Sequence, residues 1–357
     1  MHVHLRLALA LAAVSAMAAC QTIGPGSIQR DRMDYAAAIS DSWKEQALLN
    51  IIKLRYFDTP VFLDVASVIS SYTLQSQIDV AARIFPNSPP DTFRNFGATG
   101  LYTDRPTISY APVTGEKFVN NLLRPIPPQA IFAMIQAGHQ ADYILQAAVR
   151  AINDVYNYSA APARARREDP TFHFVIRAFR RIQQAGALGV RIEKRGGAEV
   201  TLIFFRENAG EEVAKDIRRL KEALGIRPDS KEIRLDFGAL RHGENEITLL
   251  TRSMMEMLVE LSAGIDVPRE HLAEGRARAM PESVATAGQG AGPLARIHSG
   301  SEPPADAYVA VRYRNYWFWV DDRDLVSKRT FTFLRIFSSI AETGNVPQVP
   351  IITIPAN

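Results

Sequence analysis

Histidine and aspartate side chains at helical spacing are the first candidates for chemistry in this sequence. His139 and Asp142 are three residues apart, so a helix across them places both side chains on one face, one turn apart. A histidine beside a carboxylate can move a proton near neutral pH, which a hydrolytic site requires. The alternative with the same spacing is a surface ion pair. We treat His139 and Asp142 as candidate catalytic residues.

A second group of candidates lies in the segment YRNYWFWVDDRD, residues 313–324. Its aromatic side chains can stack against sugar rings, and its carboxylates can act as a general acid and a general base. The alternative is a core hairpin with alternate aromatic residues buried, followed by acidic residues that cap the next helix. The candidate binding residues are Tyr316, Trp317 and Trp319, and the candidate catalytic residues are Asp321, Asp322 and Asp324.

Motifs that identify common enzyme classes are absent from the sequence. It contains no G-x-S-x-G nucleophile elbow, no G-x-x-x-x-G-K-[ST] phosphate loop and no H-E-x-x-H zinc motif. The single cysteine excludes a disulfide within the chain and a multi-thiolate metal site. The balance of 41 Lys and Arg against 38 Asp and Glu does not indicate a nucleic-acid partner. The sequence therefore predicts no cofactor, no metal site and no nucleic acid, and it favours a binding role over an enzyme.

The first 19 residues have the pattern of a secretory signal peptide. Arg6 precedes an apolar stretch from Leu7 to Val14, and small residues follow. The apolar stretch is too short to cross a hydrocarbon core of about 30 Å as a helix. Residues 1–19 are therefore predicted to be removed.

Cys20 ends the tetrapeptide Met17-Ala18-Ala19-Cys20. This tetrapeptide resembles the lipobox of bacterial lipoproteins, with Met17 at a position where leucine is usual. The resemblance implies that the Cys20 thiol carries a diacylglyceryl group and its freed amine a third acyl chain, such as palmitate. The alternative is an unmodified thiol after an ordinary signal peptide. Gln21 in place of aspartate favours delivery to the outer membrane, and residues 20–29 suit a flexible tether.

The rest of the chain is predicted to be α+β, with mixed helices, antiparallel strand pairs and a C-terminal β-hairpin followed by a helix. Periodic apolar residues predict helices over His139–Asn157 and Pro170–Ala185. Alternating apolar residues predict strands within Val61–Phe85 and Gly100–Val113, and a last strand over Val346–Pro355.

Composition suggests a division of the chain into regions. Residues 266–306 are rich in Gly, Ala, Pro and Ser, which predicts a flexible linker or loop. The other predicted regions are an N-terminal α+β region, 30–160, a central α+β region, 161–265, and a C-terminal hairpin, helix and strand region, 307–357.

Three stretches of the sequence resemble a family of uncharacterised lipoproteins of Gram-negative bacteria. They are DYAAAISDSWKEQALLNIIKLRYFDTPVFLDV, PIPPQAIFAMIQAGHQADYILQAAVRAIND and YRNYWFWVDDRDLVSKRTF. The resemblance covers most of residues 30–355. It implies a location in the bacterial envelope, and it implies no activity.

The sequence thus favours a lipid-anchored protein on the periplasmic side of the outer membrane, with a binding, adapter or envelope-structural role. Its expected partners are the membrane, through the lipid, and envelope proteins. The alternative is an envelope hydrolase that acts on glycan or peptide bonds. A hydrolase requires two or more of the candidate histidine and aspartates to meet in one deep pocket with shifted pKa values.

Overall fold

Two structural units make up the computed structural model of the protein: residues 61–113, which we call the ribbon unit, and the rest of the chain, the main unit. Each is described by itself. The predicted region 30–160 contains the whole ribbon unit and part of the main unit. The structure describes residues 25–69, 72–82, 94–104, 107–159, 166, 168–206, 209–279 and 293–341.

The helices of the main unit, numbered in chain order, vary from one turn to eight. None of the described helices is both long and apolar enough to cross a membrane. They are α1 Pro25–Arg55, α2 Gly115–Phe118 with a π-helical continuation Val119–Leu123, α3 Pro128–Gln136, α4 Ala141–Ala148, α5 Pro170–Gln184, α6 Glu211–Ala223, α7 Met254–Ser262, α8 Arg269–Ala273 and α9 Leu325–Ala341.

The main unit contains a six-stranded sheet, in the order β6-β5-β10-β9-β8-β7. Neighbouring strands are antiparallel except β9 and β10, which are parallel. This combination of helices with mostly antiparallel strands is the predicted α+β class. The strands are β5 Val149–Ile152, β6 Val155–Tyr156, β7 Leu188–Arg195, β8 Ala198–Phe205, β9 Glu232–Phe237 and β10 Glu246–Thr251.

The helix predicted over His139–Asn157 is wrong in its second half. Helix α4 ends at Ala148, and the chain continues as β5, a tight turn and β6. Val149, Ile152 and Val155 are buried β-branched residues, which suit a strand and a helix almost equally on periodicity alone. Strand β5 pairs with β10, which is distant in sequence. Because this pairing gives the backbone groups of β5 their hydrogen-bond partners, the segment forms a strand and not a helix. This pairing also joins the predicted N-terminal and central regions in one sheet.

Helix α5 is confirmed as predicted and supplies much of the core. Asp169 caps it by accepting a hydrogen bond from the Thr171 N–H at 2.8 Å, and Pro170 takes the first helical position. Its apolar stripe is fully buried, and the helix packs between α4 and α6. Each such side chain contributes about 1.5–3 kcal/mol of burial free energy. The stripe consists of Phe172, Ile176, Phe179 and Ile182.

The predicted C-terminal hairpin and helix are also confirmed. Strands β12, Val309–Tyr313, and β13, Tyr316–Val320, pair across a two-residue turn. Arg314 and Asn315 have φ values of 47° and 71°, the left-handed pair that a type I′ hairpin requires. A short strand, β11, His298–Gly300, adds to β13. The last predicted strand, Val346–Pro355, lies outside the described residues.

The segment 266–306, which its composition predicts to be a flexible linker or loop, is not irregular throughout. It contains helix α8 and strand β11, and Ile297 is fully buried and bridges to Ile265. Because the segment as a whole has a low-complexity composition, sequence analysis did not identify these few buried apolar residues. The Gly-rich residues 280–292 lie outside the described part of the chain.

The ribbon unit consists of two pairs of antiparallel strands. Strand β1, Leu63–Ile69, pairs with β4, Thr107–Pro112, and a bulge interrupts the register between Val65 and Ser67. Strand β2, Tyr72–Ala82, pairs with β3, Arg94–Asp104. The sequence predicted strands in both segments.

Candidate functional site

A pocket of about 450 Å³ lies where α4, α5 and the start of α9 meet the segment 293–296. Its volume is in the range of small-molecule sites. Because three of its residues are arginines, we call it the arginine pocket. The described residues that line it are Asp142, Tyr143, Gln146, His173, Ile176, Arg177, Pro293, Leu294, Arg296, Asp324, Val326, Ser327 and Arg329.

The arginine pocket is held together by hydrogen bonds between α9, α4 and the segment 293–296. Ser327 is fully buried, and its hydroxyl oxygen accepts a hydrogen bond from the Arg296 N–H at 2.8 Å. The Thr330 hydroxyl contacts the Tyr143 hydroxyl at 2.6 Å and also donates to the Leu294 carbonyl. These bonds fix the wall of the pocket that carries Arg296.

Asp324 uses both carboxylate oxygens to cap helix α9. Oδ1 accepts from the N–H groups of Val326 at 3.0 Å and Ser327 at 3.1 Å, and Oδ2 accepts from the Ser327 hydroxyl at 2.6 Å. Burial alone raises the pKa of Asp324, but these hydrogen bonds and the nearby Arg296 charge outweigh it and hold the pKa below its usual value. Asp324 is therefore a helix cap that stays ionised, in line with the alternative interpretation of the acidic segment.

Asp142 lies in the first turn of α4, on another wall of the pocket. Its Oδ1 is 4.0 Å from Arg180 Nε. This oxygen is buried and accepts no hydrogen bond from any residue that the structure describes. Asp142 and Asp324 are thus the two sequence-predicted carboxylates that the fold brings to one pocket.

His173 and Arg177 form a pair one turn apart on α5. Arg177 Nε donates a hydrogen bond to His173 Nε2 at 3.0 Å, which places the ring proton of a neutral His173 on Nδ1. Nδ1 is buried and has no hydrogen-bond partner within the described ranges. The sequence analysis identified neither His173 nor Arg177 as a candidate site residue. Their i, i+4 spacing was the available signal.

Glu168 lies just before α5 and was not identified from the sequence. Burial raises the pKa of the Glu168 carboxyl, and the charge of nearby His173 opposes this rise. Its Oε1 is buried without a hydrogen-bond partner in the described part of the chain. Only the fold could reveal this, because an acidic residue next to Asp169 and Pro170 looks like an ordinary solvated helix start.

The other candidate catalytic residues lie outside the arginine pocket. His139 precedes α4 and packs edge-on against Phe333 at 6.0 Å between ring centroids. Asp321 accepts a hydrogen bond from the Arg323 N–H at 2.7 Å, and Asp322 pairs with Lys328 at 2.7 Å. These two aspartates stabilise the turn before α9. Among the described residues, no group of three or more His, Cys, Asp and Glu is placed to hold a metal ion.

The candidate aromatic residues do not form one binding surface. Alternation along β13 places Tyr316 on the face of the buried Phe318, and Trp317 and Trp319 on the other face. The Tyr316 hydroxyl donates to Glu270 Oε2 at 2.7 Å, and its ring packs against His271. Trp319 lies beside His298, with 5.7 Å between ring centroids. All three candidates are half-buried.

No family model, curated protein or solved structure matches the chain. Cys20 lies outside the described residues, so its lipidation stays a prediction.

Proposed function

We propose that the protein is a lipid-anchored protein of the bacterial envelope, on the periplasmic side of the outer membrane, that binds a small anionic ligand in the arginine pocket. The anchor would keep this binding site close to the membrane and to other envelope proteins. The proposal combines the Cys20 pattern with the charge distribution of the pocket.

The charge of the arginine pocket is the observation that carries the binding role. The pocket is lined by three arginines, Arg177, Arg296 and Arg329, and by two aspartates, Asp142 and Asp324. Both carboxylate oxygens of Asp324 already accept hydrogen bonds at the N-terminus of α9. Guanidinium groups bind carboxylates and phosphates through paired, charge-assisted hydrogen bonds. A pocket with an excess of arginines over available carboxylates favours an anion.

Hydrolysis is the second candidate function, because two of the five expected residues do share a pocket. The protonation states argue against it. Asp324, with its lowered pKa, stays ionised and cannot act as a general acid at neutral pH. Burial raises the pKa of the Glu168 carboxyl, as a general acid at neutral pH requires, but Glu168 does not line the arginine pocket. The hydrolase therefore stays the weaker hypothesis.

Binding can be tested with citrate, whose three carboxylates match three arginines, as a probe by titration calorimetry. We expect a dissociation constant on the order of 1 mM at low salt, and about tenfold weaker binding when Arg177→Ala and Arg296→Ala are combined. The matched control is Arg181→Ala. Arg181 lies on the same helix as Arg177 but does not line the pocket, and its Nε is 2.6 Å from Oδ2 of Asp216. Equal loss of affinity in the control and the double variant would contradict the pocket assignment.

Lipidation of Cys20 can be tested by intact-mass measurement and membrane fractionation. We expect the native chain to carry three acyl chains and to sediment with the outer membrane, because more than one chain makes anchoring stable. Cys20→Ser should lose both the added mass and the membrane association. A native protein that is unacylated and recovered in the periplasmic fraction would refute the anchor and leave the binding hypothesis standing on the pocket alone.

A further inference from the structure

The charged side chains of the arginine pocket differ in what they already contact. Three arginines and two aspartates line it, so these five side chains have a net charge of +1. Ser327 joins Asp324 to Arg296, because its hydroxyl donates to Asp324 Oδ2 at 2.6 Å and accepts from the Arg296 N–H at 2.8 Å. Burial raises the pKa of Asp324, but its hydrogen bonds and the Arg296 charge hold it low. These two opposite charges compensate each other, which leaves two arginines and one aspartate for a ligand.

Arg177 and Arg329 are the two arginines that remain. Arg177 donates through Nε to His173 Nε2 at 3.0 Å. Arg329 donates through Nη1 to Gln140 Oε1 at 2.8 Å, and its guanidinium carbon lies 4.0 Å from the centroid of the Tyr143 ring. These contacts orient both guanidinium groups but use only part of their N–H groups, and both residues are exposed. Each can therefore bind a carboxylate without first being ordered by it.

Asp142 is the acidic residue of the pocket with the weaker compensation. Its Oδ1 is buried and accepts no hydrogen bond within the described part of the chain. Arg180 Nε lies 4.0 Å from this oxygen, which is beyond hydrogen-bond distance, and Arg180 Nη1 donates to Gln183 Oε1 at 2.9 Å instead. A carboxylate in this position favours a cation that brings hydrogen-bond donors of its own.

Gln183 fixes the position of Asp142 by clamping the start of α4 to α5. Its Oε1 accepts a hydrogen bond from the Ala141 N–H at 3.1 Å. Its Nε2 donates to the carbonyls of Ile135 and His139, each at 2.6 Å. Because the backbone on both sides of this corner is held, the Asp142 carboxylate belongs to a preformed wall of the pocket.

We propose that the ligand of the arginine pocket is a small amino dicarboxylate, with its carboxylates bound by Arg177 and Arg329 and its protonated amine bound by Asp142. This inference rests on the proposed anion-binding function and specifies its ligand. Such a molecule has one net negative charge, which is opposite to the net charge of +1 on the five charged side chains of the pocket. A cavity of about 450 Å³ is large enough to admit it.

A dicarboxylate without an amine fits the pocket less well. It binds the same two arginines, but it brings further negative charge close to Asp142 and supplies no donor to this carboxylate. The amine removes both disadvantages. Asp142 is therefore expected to determine the specificity of the pocket, while the arginines provide most of the affinity.

Titration calorimetry with L-glutamate, glutarate and L-glutamine tests this proposal on the native chain. Glutarate has the carbon chain and both carboxylates of glutamate but no amine, and glutamine has the amine but only one carboxylate. At neutral pH and low salt, we expect glutamate to bind about tenfold more tightly than either of the other two, because each lacks one charge-assisted contact. This comparison needs no variant, so it does not depend on how a variant folds.

Two substitutions that remove the same charge from the pocket then locate the amine. Asp142→Asn should bind glutamate and glutarate within about twofold of each other, because the partner of the amine is lost. The matched control is Asp324→Asn, since asparagine also caps helices well. It should raise both affinities by the same factor, because Arg296 is no longer compensated, and it should keep the tenfold preference for glutamate.

The outcomes separate this proposal from the anion-binding function. Equal binding of glutamate and glutarate, or an unchanged preference in Asp142→Asn, would refute the amino dicarboxylate and leave an anion site. Glutamine binding as tight as that of glutamate would overturn the assignment of two carboxylates. If glutamate, glutarate and citrate all failed to bind, the anion-binding function would be refuted, and this proposal with it.

Discussion

Replacing Arg252 with methionine is expected to lower the free energy of unfolding by about 3–5 kcal/mol, a large part of the 5–15 kcal/mol that keeps a typical domain folded. The Arg252 side chain is only 2% exposed. Its Nη1 donates to the carbonyls of Gln146 and Ala147 at 2.9 and 3.0 Å, and its Nη2 donates to the Tyr158 carbonyl at 2.6 Å. Methionine fills the space of the stem but leaves these carbonyls without a donor.

The charge of Arg252 is also compensated inside the protein. Glu260 lies 3.9 Å from Nη2 and is itself nearly buried. Burial lowers the pKa of Arg252, and the neighbouring carboxylates of Glu260 and Glu256 oppose this change. Removing one partner of a buried pair leaves the other charge desolvated, which is the costly case.

Urea unfolding followed by tryptophan fluorescence measures the effect of Arg252→Met. The matched control is Arg150→Met, which removes a contact of 3.3 Å to Glu256 between side chains that are each 31% exposed. A half-exposed pair of this kind contributes less than about 1 kcal/mol. If the two variants lost equal stability, the buried carbonyl contacts of Arg252 would not be the cause.

The sequence predicted those parts of the fold whose signals are local. Asp169 and Pro170 mark the start of α5, and the periodic stripe that begins at Phe172 marks its buried face. The Arg314-Asn315 turn between alternating aromatic residues marks the C-terminal hairpin. Each of these signals rests on backbone preferences of neighbouring residues, so no tertiary information was needed to find them.

The parts that sequence analysis missed depend on contacts between distant segments. The end of α4 at Ala148 is fixed by pairing with β10 about one hundred residues later, and alternation in the β5 segment could not show this. The arginine pocket combines Arg177, Arg296 and Arg329 from three separate segments, none of which has a motif. The sequence did identify Asp142 and Asp324, and it offered helix capping as the alternative role of the acidic segment, but only the hydrogen bonds of α9 decide for that role at Asp324.

The hairpin turn between β5 and β6 provides the second prediction of a large effect. Asn153 is 2% exposed, and its side-chain amide group makes four hydrogen bonds. Nδ2 donates to the carbonyls of Leu224 and Glu246, each at 2.9 Å, while Oδ1 accepts from the N–H and hydroxyl of Thr248 at 2.7 and 3.1 Å. The residue thereby ties the turn to β10 and to the end of α6.

Asn153→Ala is expected to lower the free energy of unfolding by about 3 kcal/mol or more, because two carbonyls and the Thr248 groups lose their partners in a buried site. Asn153 also has a φ of 42°, which asparagine tolerates better than alanine. Asn153→Gly separates the two causes: glycine accepts this φ but restores no hydrogen bond, so most of the loss should persist. The neighbouring Asp154, exposed and with a φ of 54°, is the control, and Asp154→Gly should change stability by less than about 1 kcal/mol. Near-native stability of Asn153→Gly in the same urea titration would show that backbone conformation, and not the amide network, makes asparagine necessary at this turn.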